Sequence, residues 1–198
     1  MLPTPDTSHI PTSLVYDPVE DSYLLLDTFS LDTERAFLQS HFFPSPSPSS
    51  AQTPVPAPAA LVLELGSGSG VVSAFLAANA QHIFGGPVLC ACTDLNPHAC
   101  RATSQTVTKE LARKRGEDPS AATGLFLGVS NADLEGPWHR GIVDVLVFNP
   151  PYVPTPDLPS KPDKLSGTGH GSTAAPPSFE EEEYFLGLAY AGATRGWR

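Results

Sequence analysis

The residues best placed to do chemistry are Asn149, Pro150, Pro151 and Tyr152, a consecutive run directly behind the apolar stretch Ile142 to Phe148. The Asn149 carboxamide carries an acceptor oxygen, and the Pro150 carbonyl is a second acceptor that no helix can consume. A planar NH2 group can give one hydrogen to each of these oxygens. Its nitrogen is then aimed along a fixed line, with Tyr152 able to lie over its flat face. The same four residues can equally be a stiff turn that ends a strand.

The elements that must position this run come next. Ile142 to Phe148 reads as a strand buried on both faces, as in the centre of a parallel sheet. Two prolines then send the chain out of the sheet in extended form, at the place where open α/β sheets bind ligands. Upstream, the short strand Leu61 to Leu65 is followed by Gly66-Ser67-Gly68-Ser69-Gly70 and a helical stretch from Val71 to about Gln81. Strand, glycine loop and helix form the first half of a βαβ nucleotide-binding unit. The loop lacks the Lys-Ser/Thr ending of a P-loop, and Val71 stands where the dinucleotide pattern needs its last glycine. Gly66 and Gly68 still let a ligand approach the backbone closely. Glu64 lies on a strand expected to be buried, so it requires a partner, either the ammonium of a ligand or an internal salt bridge.

Pro87 to Thr93 is the next strand and ends in Asp94, placed to accept from ribose hydroxyls; this does not separate NAD from S-adenosylmethionine. Asn96-Pro97 opens a capped helix that runs to about Arg115. Gly124 to Val129 is a third strand, expected at the sheet edge in the order 3-2-1-4, and an apolar edge invites a partner. Beyond it, Asp133 can accept from an adenine amine with Leu134 packing on the ring, or Asp133 can simply cap the loop. At the amino end, Asp17-Pro18-Val19-Glu20 predicts a helix from Pro18 to about Phe29 with Asp17 as its cap. Glu20, Asp21 and Ser22 fill the opening turn, where they serve the cap or close over a ligand. A second helix is expected over Thr33 to Phe42.

With 198 residues, 40% hydrophobic and 16% charged, the chain suits a single domain 1–198 with a real core, about 14–43 and 60–152. The 22 prolines exceed what that domain can use. They concentrate in 44–59 and 154–183, expected to be a disordered linker and a disordered insertion, after which 184–198 begins an apolar helix. The net charge of -10 argues against direct nucleic-acid binding. Lys109 to Arg115 is the local exception, read as a solvated helix face. Three cysteines, Cys90, Cys92 and Cys100, fit a reduced protein, and no zinc site is expected. No secretory signal or membrane-spanning run is visible, which places the protein in the cytoplasm with access to the nucleus open.

Four segments in order carry a resemblance: Tyr16-Asp17-Pro18-Val19-Glu20-Asp21-Ser22-Tyr23-Leu24-Leu25-Leu26-Asp27, Leu63-Glu64-Leu65-Gly66-Ser67-Gly68-Ser69-Gly70, Thr93-Asp94-Leu95-Asn96-Pro97 and Phe148-Asn149-Pro150-Pro151-Tyr152-Val153-Pro154. Together they resemble the HemK-related class I methyltransferases, nearest the eukaryotic release-factor glutamine methyltransferases. The resemblance implies a Rossmann-like α/β fold, a central mostly parallel sheet with helices on both faces. It implies S-adenosylmethionine as cofactor, contacted by Ser22, Glu64, Gly66, Gly68, Asp94, Leu95, Asp133 and Leu134. Asn149 and Pro150 would then grip the target amide, with Pro151 and Tyr152 beside it. The implied substrate is the glutamine of the Gly-Gly-Gln motif in the class I translation release factor. The implied partner is a small zinc-binding activator subunit that adds a strand along Leu125 to Val129, giving a heterodimer. Protein lysine and the adenine amine of nucleic acid stay open as other substrates. The family fold normally continues through a fifth strand, a helix and an antiparallel pair, which are not found before Arg198. A truncated chain lacking its C-terminal strands is therefore expected, and with it the alternative of an inactive scaffold that binds the activator.

Overall fold

The computed structural model describes residues 2–44, 59–118, 123–155, 159–162 and 177–193. Its centre is a parallel sheet of β1 (Ala60–Leu65), β2 (Val88–Asp94), β3 (Leu125–Asn131) and β4 (Val145–Phe148) in the order β3-β2-β1-β4. That order and the helices α3 (Val71–Ala78) and α5 (Pro97–Glu117) between its strands are the Rossmann-like arrangement expected. Period-two alternation splits β1 between two faces. Val62 joins Cys90 of β2 and Val107 and Leu111 of α5 in the main core, and every residue of α3 is buried beside them. Leu63 and Leu65 face the other way, where Leu134, Trp138, Val143 and Phe148 cover them.

Gly70 caps α3 at φ +77, and a Cβ there would lie 2.6 Å from the Thr103 Cα of α5. Both the left-handed backbone and the α3–α5 approach therefore demand glycine. Gly70→Ala should destabilise the fold by about 3 kcal/mol, read as a lower urea midpoint at unchanged m-value.

Three expected boundaries are corrected. The first helix, α1, spans Glu20–Ser30 and its N-cap is Val19, with no side-chain cap. Asp17 therefore does not cap it: Tyr16 and Pro18 instead line a cavity wall ahead of the helix. Proline's fixed φ suits that extended approach as well as it suits a first helical turn. The next helix, α2, spans Asp32–Phe42. The helix expected from Val71 to Gln81 breaks at Asn79, where α4 (Ala80–Phe84) begins.

The strand expected over Ile142 to Phe148 is only β4, because the Asp144 carboxylate accepts the Leu61 N–H at 2.8 Å in place of a ladder carbonyl. Nor is it buried on both faces. Among the described residues it is an outer strand of the sheet, opposite β3, Val147 is its buried residue, and Leu146 is 58% exposed.

Most of 44–59 and 154–183 lies outside the described residues. The described part of the second segment is regular at both ends. Val153–Thr155 is a strand, β5, and helix α6 (Phe179–Tyr190) begins five residues ahead of Tyr184. β6 (Ala191–Ala193) then pairs in parallel with β5. Ser178 caps α6 by accepting the Glu181 N–H. Ser178-Phe179-Glu180-Glu181 is a capping-box spacing, the signal for this start that the acidic composition concealed.

Candidate active site

Register brings the chemistry together. Leu65 of β1 stands level with Thr93 of β2 and Phe148 of β4, and Asp94 stands level with Asn131 of β3. The residues that follow, Gly66, Asp94, Asn149 and Ala132, therefore leave the sheet side by side at its carboxyl edge. Here the connections diverge, since β1 lies between β2 and β4, which makes this the switch point of an open α/β sheet. A cavity of about 460 Å³ opens there. The glycine loop, the end of β2, the loop after β3 and the segment Phe148 to Val153 form one side. Val15 to Ser22 and the end of α6 close the other.

Glu64 reaches this cavity although it is only 4% exposed. The internal salt bridge expected as one alternative is not there: no basic side chain pairs with it among the described residues. Its carboxylate accepts the Ser73 N–H at 3.0 Å and the Ser73 hydroxyl. Ser73 is the third residue of α3, so Glu64 satisfies a helix N–H that has no partner within the helix. Burial pushes the Glu64 carboxyl from 4.5 up to about 8, against those two hydrogen bonds.

Asp94 is buried and joins two loops. One oxygen accepts the Gly68 N–H at 2.8 Å and the other the Asn96 N–H at 2.8 Å. Burial raises its carboxyl, and these two bonds oppose the rise. Each oxygen keeps a lone pair, enough to receive a ligand hydroxyl. Asn96 caps α5 at His98 N and donates to the Leu14 carbonyl at 2.7 Å, which ties the amino-terminal segment to the site. Asn131 donates to the Asp94 and Leu95 carbonyls at 3.0 and 2.8 Å. Asp133 and Leu134 follow on the cavity wall, Leu134 at φ 45.

Asn149, Pro150 and Pro151 are half-buried on the same cavity. Phe148, one residue earlier, fixes their departure: its ring would stand 3.9 Å from a Cβ placed on Gly66. Tyr152 is at the rim, 64% exposed, and the charge of Asp21, to which it hydrogen-bonds, raises its phenol. Ser22 is buried in the facing wall, its N–H donated to the Asp21 carboxylate at 2.6 Å.

No protein-family model matches the chain. It is 30% identical over 178 residues to the protein named eRF1 methyltransferase catalytic subunit mtq2 of Schizosaccharomyces pombe, covering 87% of this chain and 68% of that one. The chain belongs to the HemK-related methyltransferases. It is also 35% identical over 158 residues to Methyltransferase HEMK2 of Mus musculus, covering 78% of this chain and 58% of the relative. Against Methyltransferase HEMK2 of Homo sapiens the identity is 35% over 142 residues, 72% and 50% of the two chains. The chain thus spans half to two thirds of the length of these relatives.

In this HemK-related chain all of the sequence-predicted residues line one cavity. Sequence reasoning missed the wall supplied by α6. Phe185 is buried against Ile10, Leu14 and Val15, and Tyr190 meets the Tyr16 ring edge-on at 5.0 Å. The buried Glu181 accepts from His98 at 3.4 Å and helps seat the helix. Pairing of β5 with β6 returns the end of α6 to the exit of the Asn149 segment, an arrangement no local pattern encodes.

Proposed function

We propose that this chain is an S-adenosylmethionine-dependent methyltransferase acting on the glutamine side-chain amide in the Gly-Gly-Gln motif of a class I translation release factor. The observation that carries the proposal is the common cavity of Asn149 and Pro150 with Asp94, Glu64 and the glycine loop. Its volume suits a nucleoside-sized ligand plus one entering side chain. The donor set fits as well. Asp94 has lone pairs for ribose hydroxyls, the loop backbone is open at Gly66 and Gly68, and Glu64 is a buried carboxyl that a ligand ammonium would draw into its ionised form and pair with. Asp133 and Leu134 complete the wall for an adenine ring, with Leu95 and Ser22 beside them.

When bound, the cofactor supplies an electrophilic methyl group. The protein's part is to present a nitrogen to it. Asn149 Oδ1 accepts one hydrogen of the target NH2 and the Pro150 carbonyl the other, which orients the nitrogen and stabilises positive charge developing on it. Pro151 stiffens the segment, and Tyr152, hydrogen-bonded to Asp21 at the exposed rim, can close over the amide. No strong general base is needed, since the proton leaves to water after the new bond has formed.

The relative from Schizosaccharomyces pombe is named a catalytic subunit, which supports a two-subunit enzyme. The edge strand β3, with Leu125 56% and Leu127 50% exposed, is where we place a small zinc-binding activator. Mass spectrometry of a release factor incubated with this chain, the activator and S-adenosylmethionine tests the proposal. One methyl group on the Gly-Gly-Gln glutamine is expected. Methyl transfer only to DNA or to a protein lysine would overturn the substrate assignment, and cofactor-independent binding of the activator with no transfer would make the chain a scaffold.

A further inference from the structure

We infer that Trp138 is a positioning residue for ligand recognition, through the hydrogen bond from its indole Nε1–H to the Thr93 hydroxyl at 3.1 Å. The inference rests on the methyl-donor site proposed above. The segment that carries Asp133 and Leu134 has no helix or strand of its own. Two short turns shape it, with the Gly136 N–H donated to the Asp133 carbonyl at 3.1 Å and the Trp138 N–H to the Glu135 carbonyl at 2.8 Å. Leu134 holds φ 45, a left-handed backbone that disfavours a side chain with a Cβ. Such a conformation persists only where its surroundings over-determine it.

Two anchors do so, one on either side of the pair. Upstream, Asn131 is tied to the Asp94 and Leu95 carbonyls. Downstream, Trp138 reaches Thr93, which is buried at the end of β2 and whose own carbonyl accepts the Gly66 N–H at 2.8 Å. Thr93 therefore holds the glycine loop by its backbone and the Asp133–Leu134 loop by its side chain. The Trp138 ring also packs with Leu134 and Phe148 over Leu65. Without the indole bond the loop is hydrogen-bonded to the end of β2 on one side only, packing alone does not hold the left-handed backbone, Leu134 relaxes toward negative φ, and Asp133 leaves its place opposite a base amine.

Trp138→Phe keeps an aromatic ring and removes the donor. Calorimetry on the full chain should show its dissociation constant for S-adenosylhomocysteine rising about tenfold. Its preference for S-adenosylhomocysteine over S-inosylhomocysteine, which has no 6-amine, should fall toward unity. Thr93→Val removes the acceptor and should act alike, the double variant being no weaker than the weaker single one. It also tests the bond if Trp138→Phe does not fold. A lower melting temperature with the preference between the two ligands intact would show a merely structural role and overturn the inference. Additive losses in the double variant would do the same. If the unaltered chain binds no S-adenosylhomocysteine, the methyl-donor reading falls and this inference with it.

Discussion

Asn149→Ala should lower methyl transfer by about 10³-fold, while affinity for S-adenosylhomocysteine stays within about twofold. The asymmetry follows from where the segment is fixed. Phe148 carries the packing against the glycine loop, and the prolines set the backbone beyond it, so the Asn149 amide can be removed without moving either. In the proposed mechanism, what disappears is one of two acceptors that orient the target NH2. Orientation of a poor nucleophile accounts for several kcal/mol of a barrier, on the order of 7 where the geometry is near attack. Single-turnover rates at saturating cofactor, set beside calorimetry, separate the two quantities. A parallel loss of both would mean that Asn149 supports the fold of the cavity and does not hold the substrate.

Glu64→Gln should stabilise the empty protein at alkaline pH and weaken its hold on the cofactor. The folded-state carboxyl titrates at about 8 and the unfolded one near 4.5, so between these values the folded state binds more protons than the unfolded. Stability contributed by the protonated group is complete below pH 4.5 and is lost as pH rises through 8. The slope is at most about 1.4 kcal/mol per pH unit. Glutamine keeps an acceptor for the Ser73 N–H and cannot ionise. The variant should therefore gain up to about 5 kcal/mol on the unaltered protein at pH 8 or above and little at pH 4. Binding a ligand ammonium should draw the proton off, releasing about one proton per ligand at pH 7 in the unaltered protein and none in the variant. Calorimetry in two buffers of different ionisation enthalpy reads that number directly. Equal proton release from both proteins would remove Glu64 from the ammonium site.

The glycine loop and the capped start of α5 were legible in the chain because each depends on neighbours in sequence, and the sheet order was legible because alternating strands and helices restrict an open parallel sheet to few topologies. Gly66 to Gly70 after an apolar run, and Asn96-Pro97 before a helical pattern, carry their conformations with them wherever they are placed. The length of β4 and the start of α6 were not legible. Asp144 shortens the strand by capturing an N–H of β1, eighty-three residues away. The acidic composition around Ser178 masked a helix whose reason to form is the apolar shelf at Ile10, Leu14 and Val15.

By itself, then, the sequence determined the strand–loop–helix grammar and the set of polar groups that leave the sheet at its carboxyl edge. Only the tertiary structure decided the protonation of Glu64, the exposure of β4, the α6 wall and the Trp138–Thr93 tie. The physical reason is one of range. Backbone preferences act over a few residues, whereas desolvation and packing depend on whichever distant segments the fold brings within hydrogen-bonding distance.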